Sequence, residues 1–491
     1  MIMKYPFALA AILFFLFASS CGGEGGGAGK NDSPDAPGGA AEAETEPEEI
    51  VPLLPDKDFG GYVFKVLNTD PEKFWCLSNI VVEEETGDTV DDAIYRRNLA
   101  IEEKYNVSFT YYPDVGFGGM SALIKKSNAA GDNVYDIAFP WTREAATMGI
   151  DGQLCDIKKI PYIDNTKPWW SKKADDEMEL NGKLFFGTND IDIANLESCW
   201  TMEFNKSLIQ QYDLDDPYEY VTSGKWDLDK FLEMSKAVAK DMDGDGKLTS
   251  YEDQYGFVAL MAPGNGTFAA FIQSCGEYIV RKNADGYPEI TMGGERFASV
   301  YAKLIEVLND KTAGINANTI WNRDTSPVEI LFINDQALFI MDLLHYGRRL
   351  RDMKSDFGIL PLPKYDENQK EYYTPLTHGA TVFCVPSINP DLERTGIIVE
   401  ALAAESSKVV IPAYIDVALG LKYARDDESL PMVKTILESR VYDMANFYNW
   451  ANIMETVQTK MVANDPGIAS IYEQNAEKLK AAIDRYIESI G

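Results

Sequence analysis

The sequence predicts an α/β fold in two domains, and three observations lead to this expectation. The chain has 491 residues, which is long for one hydrophobic core, since single domains commonly hold about 100–200 residues. Apolar residues make up 45% of the chain, enough for a packed globular body. From Tyr62 onward, short apolar runs alternate with amphipathic stretches, a pattern typical of strands and helices in largely parallel sheets.

Local patterns predict the individual elements. Gly61–Asn68 is predicted as the first strand and Asp91–Tyr105 as a helix. The chain beyond Arg394 is expected to be helical, and its last helix carries a single apolar stripe from Ile468 to Ile490. Further strands or buried segments are predicted at 134–139, 183–186, 194–204, 328–341, 357–363 and 379–386.

The charge balance narrows the choice of partners. The chain has 45 Lys and Arg residues against 78 Asp and Glu residues, a net charge of −33. A field of this sign repels phosphate backbones, so nucleic acid is not an expected partner. It also disfavours binding to an anionic membrane surface through charge alone.

The N-terminus resembles an export signal of a bacterial lipoprotein. Lys4 precedes an apolar run, Phe7–Phe17, which is short for a spanning helix, and small residues then lead to Cys21. We predict a signal peptide over residues 1–20 and acylation of Cys21, which would anchor the protein to the outer face of the cell membrane. The alternative is an ordinary signal peptide or N-terminal anchor. Residues 21–58, rich in Gly, Ala, Pro and Glu, are predicted as a disordered acidic linker.

Five further cysteines are widely scattered, and none forms a C-x-x-C pair. One or two disulfides are possible in an exported protein, but their connectivity cannot be deduced from the sequence. Their apolar neighbours favour a role as small buried hydrophobic residues. They are Cys76, Cys155, Cys199, Cys275 and Cys384.

One acidic segment has the spacing of a calcium-binding loop. It follows the amphipathic stretch Trp226–Ala239, whose start Asp227 can cap. Carboxylates crowded at a helix C-terminus are unfavourable unless a cation lies among them. Gly246 permits the sharp turn at position 6 of the loop. The predicted ligands are Asp241, Asp243 and Asp245 at positions 1, 3 and 5, the Lys247 carbonyl at 7, Thr249 at 9 and a bidentate Glu252 at 12.

The residues after the loop indicate what calcium would do there. A sensing EF-hand needs a second helix, whereas Gly256 and the β-favouring run that follows predict a turn into a strand. A single EF-hand-like loop of this kind is expected to bind structural Ca²⁺ and join a helix to a strand.

Catalytic motifs are sparse, whereas aromatic residues stand where ligands bind. The chain has two histidines and no H-E-x-x-H, G-x-S-x-G or Walker lysine loop; a glycosidase is not excluded, but nothing specific supports it. Aromatic faces at loop positions suit the C–H faces of sugar rings. For most of these residues core packing is the alternative, whereas Trp141 follows a buried strand at a Pro-Trp corner. The candidate ligand-binding residues are Trp141, Trp75, Tyr346, His345, Trp450 and Tyr448.

Several segments, taken in order, resemble an extracellular solute-binding lipoprotein of a bacterial ABC importer. The resemblance is to the sugar-binding type related to maltose-binding protein, and it covers about residues 60–491. The segments are Tyr135-Asp-Ile-Ala-Phe-Pro-Trp141, Gly182-Lys-Leu-Phe-Phe186, Phe204-Asn-Lys-Ser207, Phe332-Ile-Asn-Asp-Gln-Ala-Leu-Phe339, Phe357-Gly-Ile-Leu-Pro-Leu-Pro-Lys364 and Gly379-Ala-Thr-Val-Phe-Cys-Val-Pro386.

This resemblance implies a two-lobed, type II periplasmic-binding-protein-like fold with the ligand held in a cleft between lobes. It assigns 59–190 and 328–376 to lobe 1, and 191–327 and 377–491 to lobe 2. Within the cleft it implies sugar-contacting roles for Trp141, Tyr346 and Trp450, with Tyr448 as the competitor of Trp450.

The function implied is capture of a carbohydrate, in particular an oligosaccharide, and delivery to ABC permease subunits by a non-enzymatic monomer. Two alternatives stay open: a surface-anchored carbohydrate-active hydrolase, and a sugar-sensing lipoprotein without transport. A peptide or other polar solute also stays open as the ligand.

Overall fold

The computed structural model describes residues 50–69, 79–115, 118–322, 325–350, 353–415 and 428–491. The signal peptide, Cys21, most of the predicted linker, Trp75 and Cys76 lie outside these residues. Val51–Gly491 form one compact unit. None of the helices in the described ranges combines the length and apolar character needed to cross a membrane.

The first sheet is parallel and contains the predicted first strand. Its strand order is β2-β1-β3, and both neighbours of β1 pair with it in parallel. Asp88 caps the first helix by accepting a hydrogen bond from Val90 N–H at 2.9 Å. The elements of this part are β1 (Tyr62–Thr69), α1 (Thr89–Tyr105), β2 (Val107–Val115), α2 (Met120–Ala130), β3 (Ile137–Phe139), α3 (Thr142–Ile150), α4 (Lys172–Met178) and α5 (Ala194–Glu197).

The second sheet is mixed rather than parallel, with the order β10-β4-β9-β5-β8. Its strand β4 runs antiparallel to both β9 and β10, whereas β5 pairs in parallel with β8 and β9. The elements are β4 (Trp200–Asn205), α6 (Lys206–Gln211), α7 (Pro217–Thr222), α8 (Leu228–Val238), β5 (Tyr255–Ala259), α9 (Thr267–Ser274), β6 (Val280–Lys282), β7 (Pro288–Ile290), α10 (Glu295–Leu308), β8 (Gly314–Asn316), α11 (Pro327–Ile333), β9 (Ala337–Leu343) and β10 (Phe357–Leu360).

The C-terminal part is mainly helical, as predicted, apart from a short pairing of β11 with β12. The long helix α12 packs on α1, the helix that connects β1 and β2 of the first sheet. The elements are β11 (Thr374–Pro375), α12 (Leu392–Pro412), α13 (Ser429–Glu438), β12 (Arg440–Val441), α14 (Met444–Tyr448), α15 (Ile453–Val462) and α16 (Ile468–Ile490).

Strand pairing corrects the assignment of the second half to the two lobes. Residues 328–376 were expected with the first sheet, but β9 and β10 belong to the five-stranded sheet. Conversely, Thr381, Phe383 and Cys384 form bridges to residues 141, 187 and 138, beside the first sheet. The reason is that β9 is buried along its length and needs a paired strand on each edge, which β4 and β5 provide.

Two predicted strands are replaced by looser pairing. Residues 181–182 form a turn closed by a bridge between Leu180 and Lys183, residues 184–186 form no strand, and residues 379–386 make single bridges instead of a ladder. Gly256, expected at a turn, lies inside β5, where a Cβ would stand 2.1 Å from the Ser235 carbonyl oxygen of α8. The glycine therefore allows the helix to pack directly on the strand.

The cysteines agree with the expectation of small buried residues. Cys199, Cys275 and Cys384 are buried free thiols, and Cys155 is a half-buried one. Burial raises the pKa of Cys155 to about 11, with a smaller contribution from the negative charge of Asp156. Thiols in such surroundings are weak nucleophiles at neutral pH.

Candidate functional site

A cavity of about 340 Å³ lies between the residues that follow β3 and those that follow β9. This volume lies near the lower end of the range for small-molecule sites, about 300–1,000 Å³. Five separate parts of the chain line the cavity. The lining residues are Trp141, Trp200, Leu260, Gly264, Asn265, Asp342, Leu343, His345, Tyr346, Arg349, Thr377, His378 and Gly379.

Trp141 is positioned by its place between a strand and a helix. It immediately precedes α3, and its carbonyl accepts a hydrogen bond from Ala145 N–H at 2.8 Å. The next residue, Thr142, donates both its N–H and its hydroxyl to the Ala380 carbonyl, at 3.0 and 2.7 Å. These bonds hold Trp141 beside the segment 377–381, while its half-buried side chain reaches the cavity.

Two further aromatic side chains complete the apolar lining. Trp200 begins β4 and is 4% exposed, and Tyr346 lies in the 3-10 turn Leu344–Arg348 after β9 and is 3% exposed. Gly266 makes room for Trp200, because a Cβ there would stand 3.2 Å from the ring atom Cζ2. The backbone φ of +92° at Gly266 also favours glycine.

Both histidines of the chain line this one cavity. Burial lowers the pKa of His345 to about 3, and the charges of Arg348 and Arg349 lower it further. Burial likewise lowers the pKa of His378 to about 3, with an added contribution from Arg143. Both imidazoles are therefore neutral at physiological pH and can donate from one nitrogen and accept at the other.

A pair of carboxyl groups, the fully buried Glu203 and the half-buried Asp342, lies at the edge of the cavity. Burial raises the pKa of Asp342 to about 7. Burial and then the negative charge of Asp342 raise the pKa of Glu203 to about 8. The Thr201 hydroxyl donates to Glu203 Oε1 at 2.9 Å, and Leu343 N–H donates to Asp342 Oδ1 at 2.8 Å. Only Asp342 of this pair lines the cavity, because Glu203 is fully buried beneath it.

The guanidinium groups close to the cavity each have a glutamate partner. Pairing of this kind offsets their charge, so the surroundings of the cavity hold few uncompensated cations. Arg349 also lies over the ring of Tyr346, 5.5 Å from its centroid. The pairs are Arg348–Glu197 at 2.8 Å, Arg349–Glu329 at 3.7 Å and Arg143–Glu455.

The structure brings three of the candidate ligand-binding residues together: Trp141, His345 and Tyr346. Sequence reasoning missed Trp200 and His378, although both line the same cavity. The sequence did contain a signal for His378. The chain has only two histidines, and this one directly precedes the segment 379–386, which carries part of the family resemblance. Trp200 carried no such signal, because it begins a run of six buried residues that reads as core.

Tyr448 and Trp450 belong to the core instead of the cavity lining, which corrects their expected place. Their rings stack at 4.7 Å with an interplanar angle of 7°, and Tyr486 packs edge-on against both. The Tyr448 hydroxyl donates to the Met178 carbonyl. The reason is the last helix, whose apolar stripe presents Tyr486 and covers the pair.

The acidic loop follows α8, as predicted, and Asp227 caps that helix by accepting from Lys230 N–H at 2.9 Å. The two oxygens of Asp241 accept hydrogen bonds from the N–H groups of Gly244 and Gly246, both at 2.7 Å. Positive φ angles of +80° and +83° at these glycines turn the chain sharply around the carboxylate.

Three carboxylates of this loop region lie close enough to share a cation, but they differ from the predicted set. Asp241, Asp243 and Asp253 each offer an oxygen, and these oxygens lie within 4.8 Å of one another. Asp253 is fully buried, whereas Glu252 is exposed and lies outside this cluster, as does Asp245. The chain turns into β5 instead of a second helix, and this turn directs residue 253 inward in place of residue 252. An all-oxygen donor set of this kind fits calcium. Lys247 and Thr249 stay predicted ligands.

Solved structures with the same fold include several saccharide-binding proteins. A cyclic α-maltosyl-1,6-maltose binding protein from Arthrobacter globiformis aligns at a TM-score of 0.57 with 14% identity, covering 86% of this chain and 99% of that one. An ABC substrate-binding protein from Listeria monocytogenes in complex with cycloalternan aligns at 0.53 with 14% identity, covering 88% and 99%. The maltose/maltodextrin-binding domain from Bdellovibrio bacteriovorus bound to maltotriose aligns at 0.52 with 12% identity, covering 87% and 100%.

The likeness is therefore one of fold at low sequence identity. No protein-family model matches the chain, and no curated protein matches it. The fold is that of two-lobed ABC substrate-binding proteins, and it extends over nearly the full length of these neighbours.

Proposed function

We propose that the protein is the substrate-binding component of an ABC importer, which captures a carbohydrate, in particular an oligosaccharide, and delivers it to the membrane permease. The shared fold supports this proposal, because the aligned neighbours are saccharide-binding proteins. The observation that carries it is the cavity, where Trp141, Trp200 and Tyr346 combine with neutral polar groups. Aromatic faces stack on sugar rings while the polar groups bond hydroxyls.

The cavity also favours binding over hydrolysis. Glycoside hydrolysis commonly uses two carboxyl groups that flank the scissile bond. Among the described residues that line this cavity, Asp342 is the one carboxylic acid. Glu203, its neighbour, is fully buried and is unable to reach a ligand directly. A hydrolase would need a second acid in place, so capture without bond cleavage is the simpler function for this site.

The remaining parts of the proposal concern location and metal. Acylation of Cys21 would anchor the protein outside the cytoplasm, and the residues after it would tether the folded unit to the outer face of the membrane. We propose that the protein acts as a monomer. We also propose structural Ca²⁺ at Asp241, Asp243 and Asp253, where it would join α8 to β5.

Tryptophan fluorescence and thermal-shift titrations with maltose, maltotriose and cycloalternan test the proposed function. We expect saturable binding of at least one saccharide without product release on long incubation. Trp141→Ala should weaken that binding by about 2 kcal/mol, roughly 30-fold, through the loss of ring stacking. Trp321→Ala is the matched control, because Trp321 is 43% exposed and does not line the cavity. Hydrolysis of the saccharide, or equal losses in the two variants, would contradict the assignment.

A further inference from the structure

His378 lies on one of the segments that join the two sheets. Leu376, just before it, bridges Cys199 next to β4, and Thr381, just after it, bridges Trp141 next to β3. Thr377 N–H donates to the Ser198 carbonyl at 3.1 Å, and Ala380 N–H donates to the Thr377 carbonyl at 3.0 Å. The backbone on both sides of His378 is therefore held in place, and the imidazole lies where both sheets contribute to the cavity.

The two nitrogens of the His378 ring differ in their surroundings. Nδ1 is shielded from solvent and has no hydrogen-bond partner among the described residues. It lies near Gly266, where an added Cβ would stand 3.9 Å from it. Since Nδ1 is enclosed in this way, Nε2 at the far end of the ring is the nitrogen that can face the cavity.

This asymmetry selects one tautomer of the neutral ring. A buried N–H without an acceptor is rarer than a buried acceptor without a donor, so the proton is better placed on Nε2. The charge of Arg143 beside the ring opposes a second proton, and burial does so as well. His378 then presents a single N–H donor to the cavity.

We propose that His378 is a specificity-determining residue of the saccharide site, whose Nε2–H donates a hydrogen bond to a ligand hydroxyl oxygen. This inference rests on the proposed function and names a contact that Trp141 does not supply. Stacking on an aromatic ring tolerates many sugars, whereas a directional donor discriminates against a sugar that lacks the matching hydroxyl.

The test compares three variants of the full chain with maltose, maltotriose and cycloalternan as probes. His378→Gln places an amide N–H near the position of Nε2, and we expect affinity within about threefold of the unchanged protein. His378→Met keeps the bulk without a donor and should lose about tenfold. His378→Asn reaches only toward the position of Nδ1 and should behave like His378→Met. Thermal melting of each variant checks its folding, and Tyr287→Phe, a change outside the cavity, is the control.

Monodeoxy analogues of the bound saccharide provide a readout that a merely structural role would leave unchanged. The unchanged protein should disfavour one analogue by about tenfold, and His378→Met should bind that analogue and the parent sugar alike. Binding of a probe with equal affinity by the unchanged protein and His378→Met would overturn this inference while leaving the proposed function intact. Failure of all three probes to bind would contradict the proposed function itself, and this inference with it.

Discussion

Two aspartates, one in the acidic loop and one at the cavity, have pKa values shifted in opposite directions. Burial alone would raise the pKa of Asp253, but the N–H groups of Met242, Ser250 and Thr249 outweigh it and hold that pKa below its usual value. Burial raises the pKa of Asp342 to about 7, although a hydrogen bond from Leu343 N–H and the charge of Arg349 oppose this. The number of donors aimed at each carboxylate decides the direction.

The difference separates the functions of the two regions. The loop directs its backbone N–H groups at its own carboxylates and holds the pKa of Asp253 low, which suits a cation. The cavity surrounds its acid with aromatic rings and neutral imidazoles, which suits a ligand that is rich in hydroxyl groups. The glutamates close to the cavity are paired with guanidinium groups, which offset their negative charge. The cavity therefore differs from the loop, where carboxylates are crowded together.

The largest effect is expected from Asp253→Ala. The change removes the acceptor for three backbone N–H groups and the Ser250 hydroxyl, and it leaves those donors partly buried and unpaired. We expect the free energy of unfolding to fall by about 3 kcal/mol in urea titrations. Asp285→Ala, in an exposed turn, is the control and should have little effect. An equally small effect of Asp253→Ala would show that the loop does not depend on this carboxylate.

A somewhat smaller effect is expected from calcium. Calcium at about 100 times its dissociation constant should stabilise the protein by about 2.7 kcal/mol, and a chelator should reverse this. Asp243→Ala should abolish the calcium dependence while changing the calcium-free stability little, since its side chain is exposed. Thermal unfolding with and without the ion measures both. If calcium does not change the melting temperature of the unchanged protein, the proposal of a calcium site in the loop is contradicted.

The smallest effect is expected from Glu203→Gln, read as a function of pH. The pKa of Glu203 in the folded protein, about 8, lies above its usual value near 4.5, so the folded state retains a proton that the unfolded chain releases. This group therefore favours folding below about pH 4.5, and its contribution is lost as the pH rises toward 8. The variant should lose about 2 kcal/mol less than the unchanged protein between pH 5 and pH 6.5.

Urea titrations at several pH values measure this difference, with Glu473→Gln at an exposed position as the control. Parallel stability profiles for Glu203→Gln and the unchanged protein would show that the buried carboxyl pair does not titrate in this interval. The contrast between Asp253 and Asp342 would then be supported by the hydrogen bonds of the two carboxylates and no longer by their pKa values.

Prediction from the sequence succeeded where the relevant signal is local. The spacing of Asp241, Asp243 and Gly246 indicated a turn around clustered carboxylates, because neighbours along the chain form it. The structure places Asp253 in this cluster in place of Glu252, because which of two adjacent acids points inward depends on the strand that follows. Trp141 was identified from its position after β3, a relation between consecutive elements.

Residues brought together from distant segments were harder to predict. Tyr448 and Trp450 have the composition of a sugar-binding pair, but the packing of Tyr486 from the last helix places them in the core. His378 and Trp200 come from distant segments and both lie near Gly266, where an added Cβ would stand 3.9 Å from His378 Nδ1 and 3.2 Å from Trp200 Cζ2. Such contacts have no sequence spacing from which they could be deduced.

By itself, the sequence determined the α/β alternation, the position of the acidic loop after its helix and the aromatic corner at Trp141. These features depend on hydrophobic periodicity, capping and turn chemistry, which act over a few residues. Only the tertiary structure decided that β9 and β10 join the second sheet and that both histidines meet in one cavity. Strand pairing and burial select partners across hundreds of residues, and the free energy of those contacts depends on the whole fold.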